Sequence, residues 1–424
     1  MKFNQSTKKE YIWNTVGVFA QNAISPFLLI VIARLNGIYD TGIFSFAFSL
    51  AIIFWAIAMW GGRTYQVSDV QKEFTSGSYI AVRVVLGVIV LMGAVLFSLI
   101  NHYDSTKTIV IVLLVLFKVI ESFSDAIYGI LQVNSKLHIV GKSLLYKAIA
   151  GLTMFILIDS LTKDIILSCV GIVIANIFIV LFYDLPKTKE AVKDVPSKRI
   201  EAGSLNEITT ILKKCFPVFV VIFLAMFSLN IPRYFLDVYH PSEIGIFGII
   251  AMPVTLVTLF MIFIMQPNIL KLSTAYNNKK YTEFDYIVKR VFIFTILIGI
   301  GILAAGVTIG IPALNIIFGI NFNGYEAALT AIIIGGVFSA LVTVFINIFV
   351  IMRIFKAQLY ILLLTNLALL LSSPSIVDQK GLLGGVVLFM VVNVVQFIIF
   401  AFSYRFILAK NKKQKITKLH SYTN

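Results

Sequence analysis

An all-α integral membrane protein of twelve transmembrane helices, set in two six-helix lobes of the same orientation, is what this sequence predicts. Three observations carry that prediction. Apolar runs of about twenty residues recur roughly twelve times, with short polar breaks between them. Hydrophobic residues make up 59% of the chain and charged residues 13%, more apolar surface than a water-soluble fold of 424 residues can hide. The longest polar break, 184–206, falls in the middle and separates six runs from six.

Backbone in lipid must satisfy its own hydrogen bonds, which leaves helices or a closed barrel. A barrel would show short segments of alternating polarity. Unbroken apolar stretches such as 109–117 and 165–182 select helices. The predicted spans are 11–33, 41–60, 80–101, 108–130, 143–159 and 164–183, then 213–235, 243–266, 289–310, 326–349, 357–373 and 381–407. The basic start, MKFNQSTKKEYIWN, leads into an apolar run with no small-residue cleavage site, so it reads as a retained first helix. Asn36-Gly37, with Asp40 beyond, reads as a tight turn, and short breaks are expected near Lys107, Ser160 and Pro374. The implied organisation is an amino-terminal lobe, 1–183, a linker, 184–210, a carboxy-terminal lobe, 211–407, and a basic tail, 408–424.

Lysine and arginine set the expected orientation. Lys2, Lys8 and Lys9 precede the first span, Lys136 and Lys142 flank a later turn, and Lys187, Lys189, Lys193, Lys198 and Arg199 lie in the central break. The formal charge of +15 thus sits in alternate loops and tails, which places both termini in the cytoplasm by the positive-inside rule. No basic groove or motif accompanies it, so nucleic acid is not an expected partner.

The halves echo each other. Arg34 is followed by Asp40-Thr41-Gly42-Ile43-Phe44, and Arg233 by Ser242-Glu243-Ile244-Gly245-Ile246-Phe247. Internal repeats of this kind are a transporter signature. Enzyme chemistry finds no foothold. Cys169 and Cys215 lack metal-ligand spacing, and His102, His138, His240 and His420 are scattered. The segment from Gly61-Gly62-Arg63 to Asp69 reads as a cytoplasmic loop and lacks the lysine of a phosphate-binding loop.

Polar groups inside apolar runs are the candidate site residues, because charge at membrane depth is costly. The fourth span carries Lys118, Glu121 and Asp125 near one helical face. A local ion pair and a polar cavity lining are both open readings. Arg34 and Arg233 hold matching places near the outer ends of spans one and seven, where they would snorkel or face a central cavity and attract a diphosphate. Arg83 and Lys147 lie at the inner ends of spans three and five, as interface anchors or added positive charge. The first span carries Asn14, Gln21, Asn22, Ser25 and Pro26, and the seventh Pro217, Asn230 and Pro232, so both read as kinked helices with a polar side.

Trp13-Asn14 through Arg34 and Gly42-Ile43-Phe44, then Gly61-Gly62-Arg63-Thr64-Tyr65-Gln66, then Asp125 to Gln132, together resemble the Wzx-type polysaccharide flippases. That group is related to the multidrug and toxin extrusion (MATE) transporters and to the lipid II flippase. The resemblance implies a MATE-like fold in a bacterial plasma membrane. It implies a transporter, with no covalent step, that turns an undecaprenyl-diphosphate-linked oligosaccharide to the outer leaflet by alternating access. Arg34, Arg233, Arg83, Lys118 and Lys147 would then meet the diphosphate, and Asn14, Gln21, Asn22, Asn176, Asn230 and Gln266 the sugar. Glu121 and Asp125 would couple transport to a proton or sodium gradient, with no other cofactor. Membrane lipids, a polysaccharide polymerase and glycosyltransferases are the implied partners. A multidrug antiporter of the same fold and a lipid II-type flippase are the alternatives.

Overall fold

The computed structural model describes residues 5–68, 73–193 and 204–423. Lys2, Asp69, Lys198 and Arg199 lie outside them, as do the side chains of Lys8 and Gln266. The chain forms two units, Met1–Met226 and Phe227–Asn424.

Caps and left-handed turns punctuate the first unit. Helix α1 (Gln5–Leu35) ends at Gly37, whose φ of 87° suits glycine, and α2 (Ile38–Met59) follows at once. The expected loop after α2 is instead a short helix, α3 (Gly62–Ser68), entered through Gly61 at φ 67°. Thr75 caps α4 (Ser76–Ile100) by accepting from Ser78 N, and Asp104 caps α5 (Ser105–Val133) by accepting from Lys107 N. Lys107 therefore opens α5 instead of lying in the break. Helix α6 (Leu137–Thr162) begins six residues before the predicted span, because Glu10 accepts from His138 N and satisfies an orphan donor at its start. Asp164 caps α7 (Ile165–Ile179), which runs through one π turn, Val180–Asp184, into α8 (Leu185–Lys193).

Small residues let two of these helices touch backbone to backbone. A Cβ on Gly17 would lie 2.2 Å from the Gly141 carbonyl oxygen, and one on Gly141 would lie 2.1 Å from that of Trp13. Neither neighbour is a movable side-chain tip, so any larger residue must push α1 off α6. Gly141→Ala is expected to cost about 1–3 kcal/mol, the usual effect of overpacking, read as a lower unfolding midpoint in detergent. An unchanged midpoint would show that the crossing is looser than it stands here.

Helix α9 (Leu205–Tyr239) passes from one unit into the next. Its first part packs Ile211 and Cys215 against Tyr79, Val82 and Leu86 of α4, and Trp60 Nε1 donates to Leu212 O at 2.9 Å. The second unit continues with a 3₁₀ turn (Pro241–Glu243), α10 (Ile244–Ile250), α11 (Met252–Asn277) and α12 (Tyr281–Ala305). A π turn (Gly306–Gly310) leads into α13 (Ile311–Phe318), followed by α14 (Glu326–Ile351) and α15 (Phe355–Thr423). Phe345 and Phe349 of α14 meet Phe400 of α15 in the core.

Ten helical segments among the described residues are long and apolar enough to cross a membrane, where twelve spans were expected. Two features account for the difference. Helix α5 has 29 residues, about 43 Å at 1.5 Å per residue, but Lys118, Glu121 and Asp125 interrupt its apolar run. The last two predicted spans form one continuous run, Phe355–Asn411. Its break is not at Pro374, which stays inside helix, but at Gly381, where φ is 54° and ψ −136°. Proline only removes a donor, whereas this backbone geometry needs glycine.

Both units fasten the turn after their first long helix to a second, distant turn. In the first, Asn36 Nδ2 donates to Asp159 Oδ1 at 3.1 Å, and Ser168 Oγ reaches the same oxygen at 3.0 Å. In the second, Glu243 Oε2 accepts from Leu382 N at 2.6 Å, and His240 Nε2 lies 3.0 Å from Asp378 O at the Gly381 break.

Candidate functional site

Helix α5 positions most of the charged chemistry of the first unit, and it does so in three directions. Toward α1, Glu121 accepts from Lys118 Nζ at 2.7 Å and from Gln21 Nε2. Lys118 also stands 4.9 Å over the Phe48 ring, so the ion pair of the first open reading is present, half-buried, against α1 and α2.

Toward α3 and α4, Asp125 meets two guanidiniums. Arg63 Nη1 is 3.0 Å from Oδ1 and Arg83 Nη2 is 3.4 Å from Oδ2. Arg83 is 3% exposed, and its Nη1 also donates to the carbonyls of Ala58 and Met59. Those are carbonyls that the end of α2 leaves without helical donors, so Arg83 closes a helix terminus as well as balancing Asp125. Gly62 permits this, since a Cβ there would lie 3.0 Å from Arg83 Nη2.

Toward α6, a closed ring of hydrogen bonds surrounds Lys147. Its ammonium donates to Ser124 Oγ at 2.6 Å, Tyr128 OH at 2.9 Å and Asp184 Oδ2 at 2.5 Å. Ser143 donates to Asp184 Oδ1, so the 2.7 Å contact between Tyr128 OH and Ser143 Oγ has tyrosine as donor. The side chains of Lys147 and Asp184 are 2% and 0% exposed. Lys147 is thus a core residue and not an interface anchor.

The remaining candidates scatter. Arg34 is exposed near the end of α1. Arg233 lies in the other unit, half-buried, its guanidinium 5.1 Å from the centre of the Phe247 ring. Its Nε is buried without an acceptor, and no carboxylate pairs with it among the described residues. Asn22 donates to Val18 O of its own helix and Asn176 to Ile172 O of its own. Asn176 is buried, while Asn14 and Asn230 are half-buried. The structure therefore brings together Gln21 with Lys118 and Glu121, and Arg83 with Asp125.

Three partners differ from the sequence reading, which offers Arg63 the loop's Asp69 or a head group, puts Asp184 in the interlobe linker and gives Asp159 no role. Asp159 is fully buried, and its Oδ2 has no donor. Helical spacing from Asn176 through Val180 to Asp184 was the available signal for the second, since it carries the buried face of α7 onward.

No protein-family model matches the chain. The capsular polysaccharide biosynthesis protein CapF of Staphylococcus aureus is 26% identical over 305 residues, which is 71% of this chain and 75% of that protein. Among solved structures, the lipid II flippase MurJ in an inward closed conformation superimposes with a TM-score of 0.68 at 14% identity, covering 93% of this chain and 87% of that one. The MATE multidrug transporter DinF-BH gives 0.67 at 18% identity over 95% and 96%. An inward-facing MATE-family multidrug resistance transporter of the MOP superfamily gives 0.66 at 13% identity over 95% and 96%. The chain is an all-α, multi-span membrane protein of MATE-like fold. The sequence expected that fold from its apolar runs and its resemblance.

Proposed function

We propose that this protein is an alternating-access transporter that turns a polyprenyl-diphosphate-linked oligosaccharide from the inner to the outer leaflet of a bacterial plasma membrane. In this reading the nine apolar segments before the α15 run, α5 and the two parts of that run make twelve spans, with both termini cytoplasmic. The observation that carries the reading is Arg233, a guanidinium without a counter-anion among the described residues. A half-buried guanidinium with no paired anion is partly desolvated, so an anionic ligand that pairs with it offsets a standing penalty. The 26% identical relative, a capsular polysaccharide biosynthesis protein, supports the same substrate class.

A second reading is a cation-coupled multidrug antiporter or a lipid II-type flippase. The solved neighbours' own functions favour it over the polysaccharide reading. The buried Asp159 carboxylate, with no cation beside it among the described residues, also suits a cationic substrate or coupling ion.

The flippase and antiporter readings separate in one experiment. Proteoliposomes holding the protein receive either a short-chain prenyl-diphosphate-linked disaccharide or a fluorescent organic cation. Protein-dependent exposure of the sugar to an external lectin is expected, without uptake of the cation. Cation transport with no movement of the lipid-linked sugar would overturn the first reading in favour of the antiporter.

A further inference from the structure

Helix α3 is fastened to α5 by polar contacts from two of its side chains, Arg63 and Gln66. Arg63 Nη1 meets Asp125 at 3.0 Å, Arg63 Nε and Nη2 both reach Gln132 Oε1 at 3.2 and 3.0 Å, and Gln66 Nε2 donates to Ala126 O at 3.1 Å. The charges at this fastening do not balance. Two guanidiniums share one carboxylate, and among the described residues neither has another acidic partner.

The two arginines are not equivalent. Arg83 is buried and directs its Nη1 at the carbonyls that end α2. With Asp125 it makes a neutral pair whether or not Arg63 is present. Arg63 keeps 28% of its side chain exposed and directs two of its nitrogens at a neutral amide oxygen. Hydrogen bonds to an ionised acceptor are about twice as strong as those to a neutral one, and a phosphate matches the guanidinium fork in geometry. An arriving phosphoryl anion would therefore replace Gln132 with a net gain, while the exposed edge of Arg63 gives it access.

We infer that Arg63 is a receptor for a phosphoryl anion, with Gln132 as the acceptor that holds its guanidinium until that anion arrives. The inference deepens the proposed function, on which it rests for the identity of the phosphate's carrier. Seating of the anion removes the Gln132 tie between α3 and α5 and leaves the Arg63–Asp125 pair and the Gln66 bond as polar links of α3 to that helix.

The test measures equilibrium binding to the full-length chain in neutral detergent. The probes are geranylgeranyl diphosphate, inorganic diphosphate, phosphatidylglycerol and, as the uncharged control, geranylgeraniol. Arg63→Gln is expected to weaken diphosphate binding about ten- to hundred-fold. Gln132→Leu removes the competing acceptor and is expected to tighten it several-fold. Geranylgeranyl diphosphate bound equally well by wild type and Arg63→Gln overturns this inference alone. Arg63-dependent binding of inorganic diphosphate or phosphatidylglycerol, without binding of geranylgeranyl diphosphate, supports the inference and counts against the lipid-linked substrate. Binding of none of the three anions overturns the inference. If Arg63→Gln does not fold, Gln132→Leu decides, and unchanged or weaker binding overturns the inference.

Discussion

Lys147→Met is expected to lose about 3–5 kcal/mol of stability, the usual cost of breaking a buried ion pair from one side. The loss comes less from the missing attraction than from what remains. Asp184 would keep its carboxylate at 0% exposure, with only the Ser143 hydroxyl among its hydrogen-bond partners here. Tyr128 and Ser124 would each lose a donor in the same interior. The double variant Lys147→Met/Asp184→Leu should recover most of the loss, because a buried pair replaced as a pair by apolar groups is often neutral. Unfolding midpoints of the two variants in detergent check this. A double variant no better than the single one would mean that the ring holds α5, α6 and the π turn in place through geometry that apolar packing cannot copy.

Arg233→Leu should move stability and transport in opposite directions. Removing a half-buried guanidinium whose Nε has no acceptor among the described residues relieves part of its desolvation cost, so the unfolding midpoint is expected to rise or stay level. Transport of the diphosphate-linked substrate should fall by about tenfold or more, because a charge-assisted contact is worth about 1.5–3 kcal/mol. Function that needs a locally unfavourable group commonly shows this trade. Transport at the wild-type rate would remove Arg233 from the substrate path, and a sharply lowered midpoint would reassign it to packing on Phe247.

What could be read from sequence divides along physical lines. Hydrophobic runs report the solvent directly, so the membrane class, the helices and the Gly37 turn were legible. Boundaries failed for two reasons: a side chain from elsewhere, Glu10, extends α6 toward its start, and the backbone freedom of Gly381 displaces the break expected at Pro374. Charged residues were found, but not their partners. Lys147 looked like an anchor because it stands near the start of an apolar run. Its counterion, Asp184, lies 37 residues on, past the end of another run. Arg83 looked available to substrate, whereas only the packed end of α2 reveals what its nitrogens satisfy. Pairing across helices is a property of the third dimension, and no local periodicity encodes it.

The fastened turns carry a consequence for biogenesis. In each half the clasp joins a turn made early, at Asn36 or Glu243, to one made late, at Asp159 or Leu382. Neither clasp draws on the opposite half. A ribosome emitting this chain would complete the first clasp before the residues of the second exist. Its closure would certify that nearly all of the leading half has entered the bilayer in the right order. Two separately translated fragments should for the same reason each reach a closed form before they meet.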